Sequence, residues 1–587
     1  MKARKPHNRI ALLCVLLLTS FAARAAQGVD VTITGLDDPL KSNVQALLSL
    51  INDYQKRRPP DAVVRRLYAR APEEIGTALQ PFGYYQPRID SSLTQIGGNW
   101  QATFHIDPGP PTLVQTLELR VTGPGQHLKN IQDALAGSKL AVGQRLIQPD
   151  YDNLKNALLN AAQSAGYLDA HYVEHKIAVR PEQSAATIHL VLATGPRYYF
   201  GPITVEQDIL APTFVQKFNP IETGDVFSTN RLLELELALR DSEYFSRVTA
   251  DVRKEAAHER RIPVILHAKP SPSARYMASV GYGTDTGPRV GVGVLFRHLN
   301  RQGHQFSANA RISAIKSTLT AQYKIPVGNV RTDFFAANAT AQTIDINDAH
   351  SKRADLGVEL NQMWLGGRRR LYLDYDNEHF YFGGGKNEEP HQTTTLVIPG
   401  ITYTRKRADS ALFPRNGYQL TLDAHGAAEP LLSDTSYIAV DAAWRSVYPL
   451  GEDTRLLLYA ELGAIKASDF RRLPPTQRFF TGGARTVRGY GYQELAPRDA
   501  RGNIVGGRYL AVGSIEVDHL FIGNFGGAIF LDAGNVANHF LPELRRDVGI
   551  GLRYRTPIGM VRLDVARTLN DPNGNHWHLQ ISIGPYF

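Results

Sequence analysis

The chain has 587 residues, of which 43% are hydrophobic and 21% charged, with a formal net charge of +9. That length leaves room for several domains, and that composition excludes a disordered chain. Lys2, Arg4, Lys5, Arg9 and Arg24 all fall in the first 25 positions and the remainder carries +4, too little for nucleic acid to be the main partner.

Residues 1–25 read as a secretory signal peptide. A basic start is followed by the apolar run Ile10–Leu18, which is too short for the ~20 residues of a membrane-spanning helix. Ala23 and Ala25 supply the small residues a signal peptidase reads, so cleavage is expected before Ala26. The single cysteine, Cys14, lies inside this leader and follows Leu13 rather than a small residue, so a lipoprotein anchor and a mature disulfide are both excluded. No later stretch is long, apolar and uncharged. An exported chain can still cross a membrane as a closed β-barrel, because closure satisfies every backbone group.

From residue 26 to about 270 three related units follow, with expected bounds 26–108, 109–194 and 195–270. The first opens with an extended run at Val29–Thr34, continues through helical segments at Pro39–Leu50 and Asp61–Gln80, and ends in strands at Gln86–Leu93 and Trp100–Ile106 around the turn Gly97-Gly98-Asn99. In the second, the helix Pro149–Ala165 has proline near its start and Gly166 just past its end. In the third, Leu232, Leu235, Ala238 and Leu239 recur at helical spacing and are expected to face a sheet. Gly83-Tyr84 and Gly166-Tyr167 mark the corner between helix and strand in the first two units. The third has Glu243-Tyr244 there, which leaves its corner geometry open.

Beyond residue 275 helical periodicity gives way to alternation. Arg289–Phe296, Gln305–Ile312, Tyr418–Asp423 and Val561–Arg567 each place apolar residues on one face and polar or charged residues on the other. This fits a membrane barrel, apolar outside and polar inside, but also a soluble sandwich of the opposite sense. Aromatics near strand ends (Tyr372, Tyr375, Tyr403, Trp444, Tyr448, Tyr459, Trp577, Tyr586) and alternating short and long connections favour the barrel. About 310 residues at roughly 20 per strand and connection allow ~16 strands.

The stretch Arg478–Tyr492 interrupts the alternation with four glycines among aromatics and arginines, and reads as a folded loop. Two later strands carry Glu516 and Asp532 on the parity opposite to Ile515, Val517 and Leu531. If the apolar residues face lipid, these carboxylates face the lumen, where the planar guanidinium of Arg488 can bridge both. The chain ends His576–Phe587, with Leu579, Ile581, Ile583 and Phe587 on one parity. Pro585 has no N–H and Gly584 permits a bend, so the join between the last strand and the first, about Arg275–Gly283, is expected to be poorly zipped.

Val487-Arg488-Gly489-Tyr490 with Glu516 and Asp532, the strand entrance Phe413-Pro414-Arg415-Asn416-Gly417-Tyr418 and the hairpin Gly549–Gly559 resemble the POTRA-plus-barrel outer-membrane assembly superfamily. The order strand–helix–helix–strand–strand resembles its POTRA modules. Three such units with a barrel of this length are most similar to its TamA branch, the translocation and assembly module subunits. The resemblance implies three α/β POTRA modules (βααββ) and a transmembrane antiparallel β-barrel of about sixteen strands over residues 275–587. It implies a loop lock of Arg488, Gly489, Tyr490, Glu516 and Asp532, and a lateral seam involving Tyr276, Val280, Ile581, Ile583, Gly584, Pro585 and Phe587. The implied function is promotion of autotransporter and other barrel integration through that seam. The implied partners are a TamB-like inner-membrane-anchored periplasmic protein, unfolded outer-membrane clients and outer-membrane lipids. A secretion pore for one dedicated client is the alternative. No nucleotide loop, Gly-x-Ser-x-Gly or His-Glu-x-x-His pattern occurs, so neither an enzyme nor a cofactor is expected.

Overall fold

The structure, a computed structural model, describes residues 29–52, 60–96, 99–284, 287–383, 391–557, 559–584 and 586. The expected leader with Cys14, the turn residues Gly97 and Gly98, and the seam residues Pro585 and Phe587 lie outside the described residues. The chain divides into two compact units. One runs to Ile203 and adds Ile221–Leu232 and Val252–Val264; the other comprises Thr204–Pro220, Leu233–Asp251 and Ile265–Phe587.

In the first module, strand Asp30–Thr34 pairs in parallel with Asn99–Asp107, which pairs antiparallel with Arg88–Ile96. The helix Asp61–Leu79 buries Val64, Leu67, Ala71, Ile75 and Ala78, a three-and-four spacing that makes one apolar stripe. That stripe packs on Trp100, Ala102, Phe104 and Ile106, the alternate residues of the central strand. The second module repeats the plan. Ala185–Ala193 lies between Leu113–Thr122 and His171–Arg180, and Leu154 and Leu158 of helix Gln148–Ser164 pack with Ile188 and Leu190. A third sheet has Arg261–Pro270 between Tyr199–Glu206 and Phe245–Val252. The helix Thr229–Asp241 buries Leu232, Leu235 and Leu239 and leaves Leu233 exposed.

The corners share one conformation. Gly83 and Gly166 have φ of +82° and +90°, and Glu243, at the equivalent place, has φ of +67°. A non-glycine residue in this region is strained by its Cβ, and the Glu243 carboxylate is held there by Arg275, whose Nη1 donates to it at 2.9 Å. The tyrosine after each corner meets the segment that follows. Arg145 Nη1 donates to the Tyr84 hydroxyl at 2.8 Å, the Arg197 guanidinium lies 5.7 Å from the Tyr167 ring, and the Tyr244 hydroxyl donates to the Gly303 carbonyl at 2.5 Å.

From Ala274 onward, sixteen strands from Ala274–Gly283 to Trp577–Gly584 form one antiparallel sheet in strict sequence order. It curls until its edges meet, where the Thr284 hydroxyl reaches Gln580. Alternation resolves the sense of the two faces. Val290, Val292, Ile312, Leu356, Ile550 and Leu552 are exposed, whereas Asp376, Glu378, Arg455, Asp518 and Arg553 are buried. A face with exposed leucines and an interior of paired charges is the inside-out pattern of a barrel in lipid. Arg353 Nε meets Asp376 at 2.8 Å and Arg370 Nε meets Glu359 at 2.5 Å, which keeps the inner charges matched.

Two expectations are corrected here. Tyr372, Tyr459 and Tyr586 do not belong to an interfacial girdle. Their hydroxyls turn inward, to Asp423, to Glu461 and to the Leu458 carbonyl; Tyr372 and Tyr459 stand on the polar parity of their strands, and Tyr586 lies beyond the end of the last strand. Connections are also less regular than expected. Inner turns are as short as Leu365-Gly366 and outer ones as short as Asn347-Asp348, while 327–333 and 409–416 are longer inner turns.

Candidate functional site: an inner lock joined to the seam

The segment between strands Thr454–Ala467 and Tyr509–Ile522 folds into the barrel interior. Arg478 fastens its base. Its guanidinium donates to three carbonyls, Leu473 at 2.6 Å, Val505 at 2.8 Å and Arg471 at 3.0 Å, and lies 4.7 Å from the Phe382 ring. Gly482 and Gly483, with φ of +108° and +105°, turn the chain back at its tip. Val487 and Tyr490 then pack with Tyr459, Leu510, Val512 and Val536.

Between these apolar anchors stands Arg488. Nε and Nη2 donate to the two oxygens of Asp532 at 2.8 and 2.9 Å, a fork-to-fork pair. Nη1 donates to Glu516 Oε2 at 2.5 Å and Nη2 to Ser514 Oγ at 3.3 Å. The Arg488 backbone N–H also donates to Asp532 at 3.1 Å, and the guanidinium lies 3.4 Å from the centre of the Phe530 ring. Gly489 N–H donates to Asp547 at 2.7 Å. A side chain at Gly489 would place its Cβ 2.7 Å from that of Asp547, so only glycine brings the loop this close to the wall.

The structure thus brings Arg488, Gly489, Tyr490, Glu516 and Asp532 together. Sequence reasoning missed the rest of the cluster. Arg553 donates to Glu516 at 2.8 Å and to Asp564 at 2.5 Å, and Asp564 lies 3.6 Å from Arg488. Two arginines therefore share three carboxylates, with Asp547 as a fourth. Asp564 had only its place on the polar face of Val561–Arg567 as a signal, and Arg553 its place within the hairpin Gly549–Gly559; nothing in the sequence tied either to the lock.

The lock touches the seam through Gln580, a buried residue of the last strand. Its Nε2 donates to the Tyr490 carbonyl at 3.2 Å, and its Oε1 accepts from the Thr284 hydroxyl at 2.7 Å. The Thr284 oxygen in turn accepts from Ile581 N–H at 3.1 Å. Among the described residues this side-chain bridge is the polar link across the join, and Ala274–Gly283 pairs by backbone only with Gly287–Phe296. Tyr276 and Val280 on the first strand, 79% and 87% exposed, face outward, as do Ile581 and Ile583 on the last. Gly584 ends the last strand at φ of +151°. Tyr586 then points into a cavity of about 70 Å³ beside Arg445, Arg485, Arg488 and Arg562. Neither Gln580 nor Thr284 carries a motif; only the three-dimensional join picks them out. Among the described residues no three His, Cys, Asp or Glu side chains converge as a metal site would require.

Comparison with known proteins gives three results. The Omp85 superfamily domain matches residues 276–587, and a POTRA domain described as TamA domain 1 matches residues 30–108. The outer membrane protein assembly factor BamA of Nitratidesulfovibrio vulgaris is 23% identical over 452 residues, 72% of this chain and 56% of the relative. A SAM50-like protein of Schizosaccharomyces pombe is 22% identical over 48% of this chain and 66% of its own length. The chain thus spans between about half and two-thirds of these curated relatives. Among solved structures, BamA from Haemophilus ducreyi lacking POTRA domains 1-3 superposes with a TM-score of 0.66 at 16% identity, over 80% of this chain and 99% of that one, a likeness of fold.

Proposed function

Because the chain belongs to the Omp85 superfamily, we propose that it assembles proteins into the outer membrane by opening the join in its own barrel wall. The barrel lies in the outer membrane and the POTRA modules in the periplasm. The observation that carries the reading is the join itself, in which the described parts of the first and last strands are held by Thr284, Gln580 and Ile581 rather than by a backbone ladder. Unpaired backbone on such edges is a template for an incoming strand and makes little demand on its sequence. The clients are autotransporters and other unfolded outer-membrane barrels, which integrate strand by strand at the seam. A TamA-type first POTRA domain supports a TamB-like inner-membrane-anchored protein as the periplasmic partner. The reaction consists of strand exchange and disturbance of the surrounding lipid, with no catalytic centre. A pore dedicated to exporting one client would pass it through the lumen, where the buried Arg488 cluster holds the loop across the interior; the seam route needs no passage through that cluster.

The test uses the full chain in proteoliposomes with an unfolded autotransporter barrel. A disulfide is introduced between one cysteine in Ala274–Gly283 and one in Trp577–Gly584, and client folding is followed by heat-modifiable migration. Bridging is expected to stop insertion and reduction to restore it. Undiminished insertion with the seam bridged rejects the mechanism.

A further inference from the structure

A second site lies on the lipid-facing wall, away from lock and seam. The first barrel strand leaves the third module at its periplasmic end, so strand order fixes which end of every strand is periplasmic. On strand Gly367–Phe382 the outward parity is given by the exposed Leu371, Leu373 and Tyr375, and Arg369 shares it at the periplasmic end. On the neighbouring strand Gln392–Ala408, Ile401 is exposed outward, and Tyr403, Arg405 and Arg407 follow on the same parity. Among the described residues of the sixteen strands, every outward-facing lysine or arginine in the periplasmic half lies on these two neighbours. Charge on this face is unfavourable toward acyl chains and suits a headgroup.

The three guanidiniums have no carboxylate partner among the described residues. Arg369 is opposite Tyr403 in the ladder. It donates from Nη2 to Gln362 at 2.5 Å and rests 5.5 Å from the Trp364 ring, while its Nε is buried without a hydrogen-bond partner. Trp364 and Tyr403 meet edge to face at 5.9 Å, and the Tyr403 hydroxyl donates to the Leu365 carbonyl at 3.1 Å, which fixes the turn beside them. The Arg405 guanidinium lies beside Gly366 of that turn, 3.8 Å from where a Cβ there would stand, and Arg405 and Arg407 are exposed. Apolar rows toward the middle of the bilayer give way, at the periplasmic rim, to aromatics interleaved with guanidiniums, Tyr403 level with Arg369 and Trp364 paired with Gly367, which follows the order of a phospholipid from chain to headgroup. We infer that Trp364, Arg369, Arg405 and Arg407 form a binding site for the phosphate headgroup of an anionic phospholipid in the periplasmic leaflet. Guanidinium forks match phosphate oxygens, and the indole fills the interfacial layer beside them.

Native mass spectrometry of the full chain, purified in detergent and exchanged against phosphatidylglycerol or phosphatidylcholine, tests this. Phosphatidylglycerol is expected to be retained in preference to phosphatidylcholine, and retention to fall about five-fold for each guanidinium removed in the series ending in Arg369→Gln/Arg405→Gln/Arg407→Gln. Lys352→Gln/Lys466→Gln, on the outward face at the opposite rim, should change nothing. Equal retention by the triple variant, or equal loss in the Lys352/Lys466 control, overturns the site. Displacement by millimolar inorganic phosphate makes it a free-anion site and overturns the lipid assignment. Heat-modifiable migration verifies folding, and Arg405→Gln/Arg407→Gln, which alters only exposed side chains, carries the test should the triple variant not fold.

Discussion

Arg488 is charged, buried and surrounded by carboxylates, so the strength of the lock depends on what each partner keeps when one is removed. Replacing Arg488 by alanine leaves Asp532 without a cation, while Glu516 retains Arg553. Uncompensated burial of that kind costs about 3–5 kcal/mol. Hydrogen exchange of residues 482–491 should accelerate accordingly. Arg488→Lys should recover only part of the loss, because an ammonium cannot engage Asp532 and Glu516 in the same fork. Asp547 behaves differently. It stands directly opposite Asp532 on the adjacent strand, and its Oδ1 has no hydrogen-bond partner. Asparagine there removes a like-charge contact and can still accept from Gly489 N–H. Loop exchange in Asp547→Asn is therefore expected to stay level or slow, whereas Asp532→Asn weakens docking by about 2–3 kcal/mol. Arg488, Glu516 and Asp532 were legible in the sequence because a loop signature and strand parity both pointed at them. Arg553, Asp547 and Asp564 were not, since parity assigns a residue to the lumen without saying which other inward residue it meets.

At the scale of elements, the modules were readable from helical spacing and turn residues, whereas their joints were not. A tyrosine at a strand entrance looks like an ordinary core residue, and nothing in Gly83-Tyr84 announces Arg145 as its partner. The third corner shows the limit well. Glu243 adopts the conformation that glycine holds in the other two, carried by an ion pair rather than by backbone freedom. The joint at Gly166-Tyr167 is also electrostatic. Lys254 and the Tyr198 hydroxyl both hydrogen-bond to Asp169. These bonds, that to Lys254 first, hold the Asp169 carboxyl below the usual carboxylate range. The unfolded chain therefore binds this proton at higher pH than the folded one. The contribution of Asp169 is present above about pH 4 and is lost as pH falls through its lower folded value. Amide exchange around residues 166–171 and 254 should rise as the pH drops below about 4, and Asp169→Asn should flatten that dependence. A pH-independent wild type would refute the assignment.

For the molecule as a whole, the central fact is a sheet that meets itself without zipping across the described seam. Sequence reached a barrel of about sixteen strands through alternation and expected a weak edge from Pro585 beside Gly584, but it could not show what holds the edge, because that depends on which side chains converge after closure. Gln580 joins the seam to the inner lock, since one amide group donates to Tyr490 in the loop and accepts from Thr284 beside the first strand. Opening the join must therefore pull on the loop, and releasing the loop must loosen the join. Gln580→Leu keeps the bulk and removes both bonds, while Thr284 retains its bond to Ile581 N–H. Two net hydrogen bonds amount to ~2 kcal/mol, or roughly a thirty-fold shift toward the open seam. Spin labels on the first and last strands should report a broader, longer distance distribution in Gln580→Leu, and exchange at residues 488–491 should rise with it. The two readouts separate coupling from mere weakening. A seam that opens while the loop stays protected would mean that Gln580 fastens the edge alone, and that lock and gate move independently.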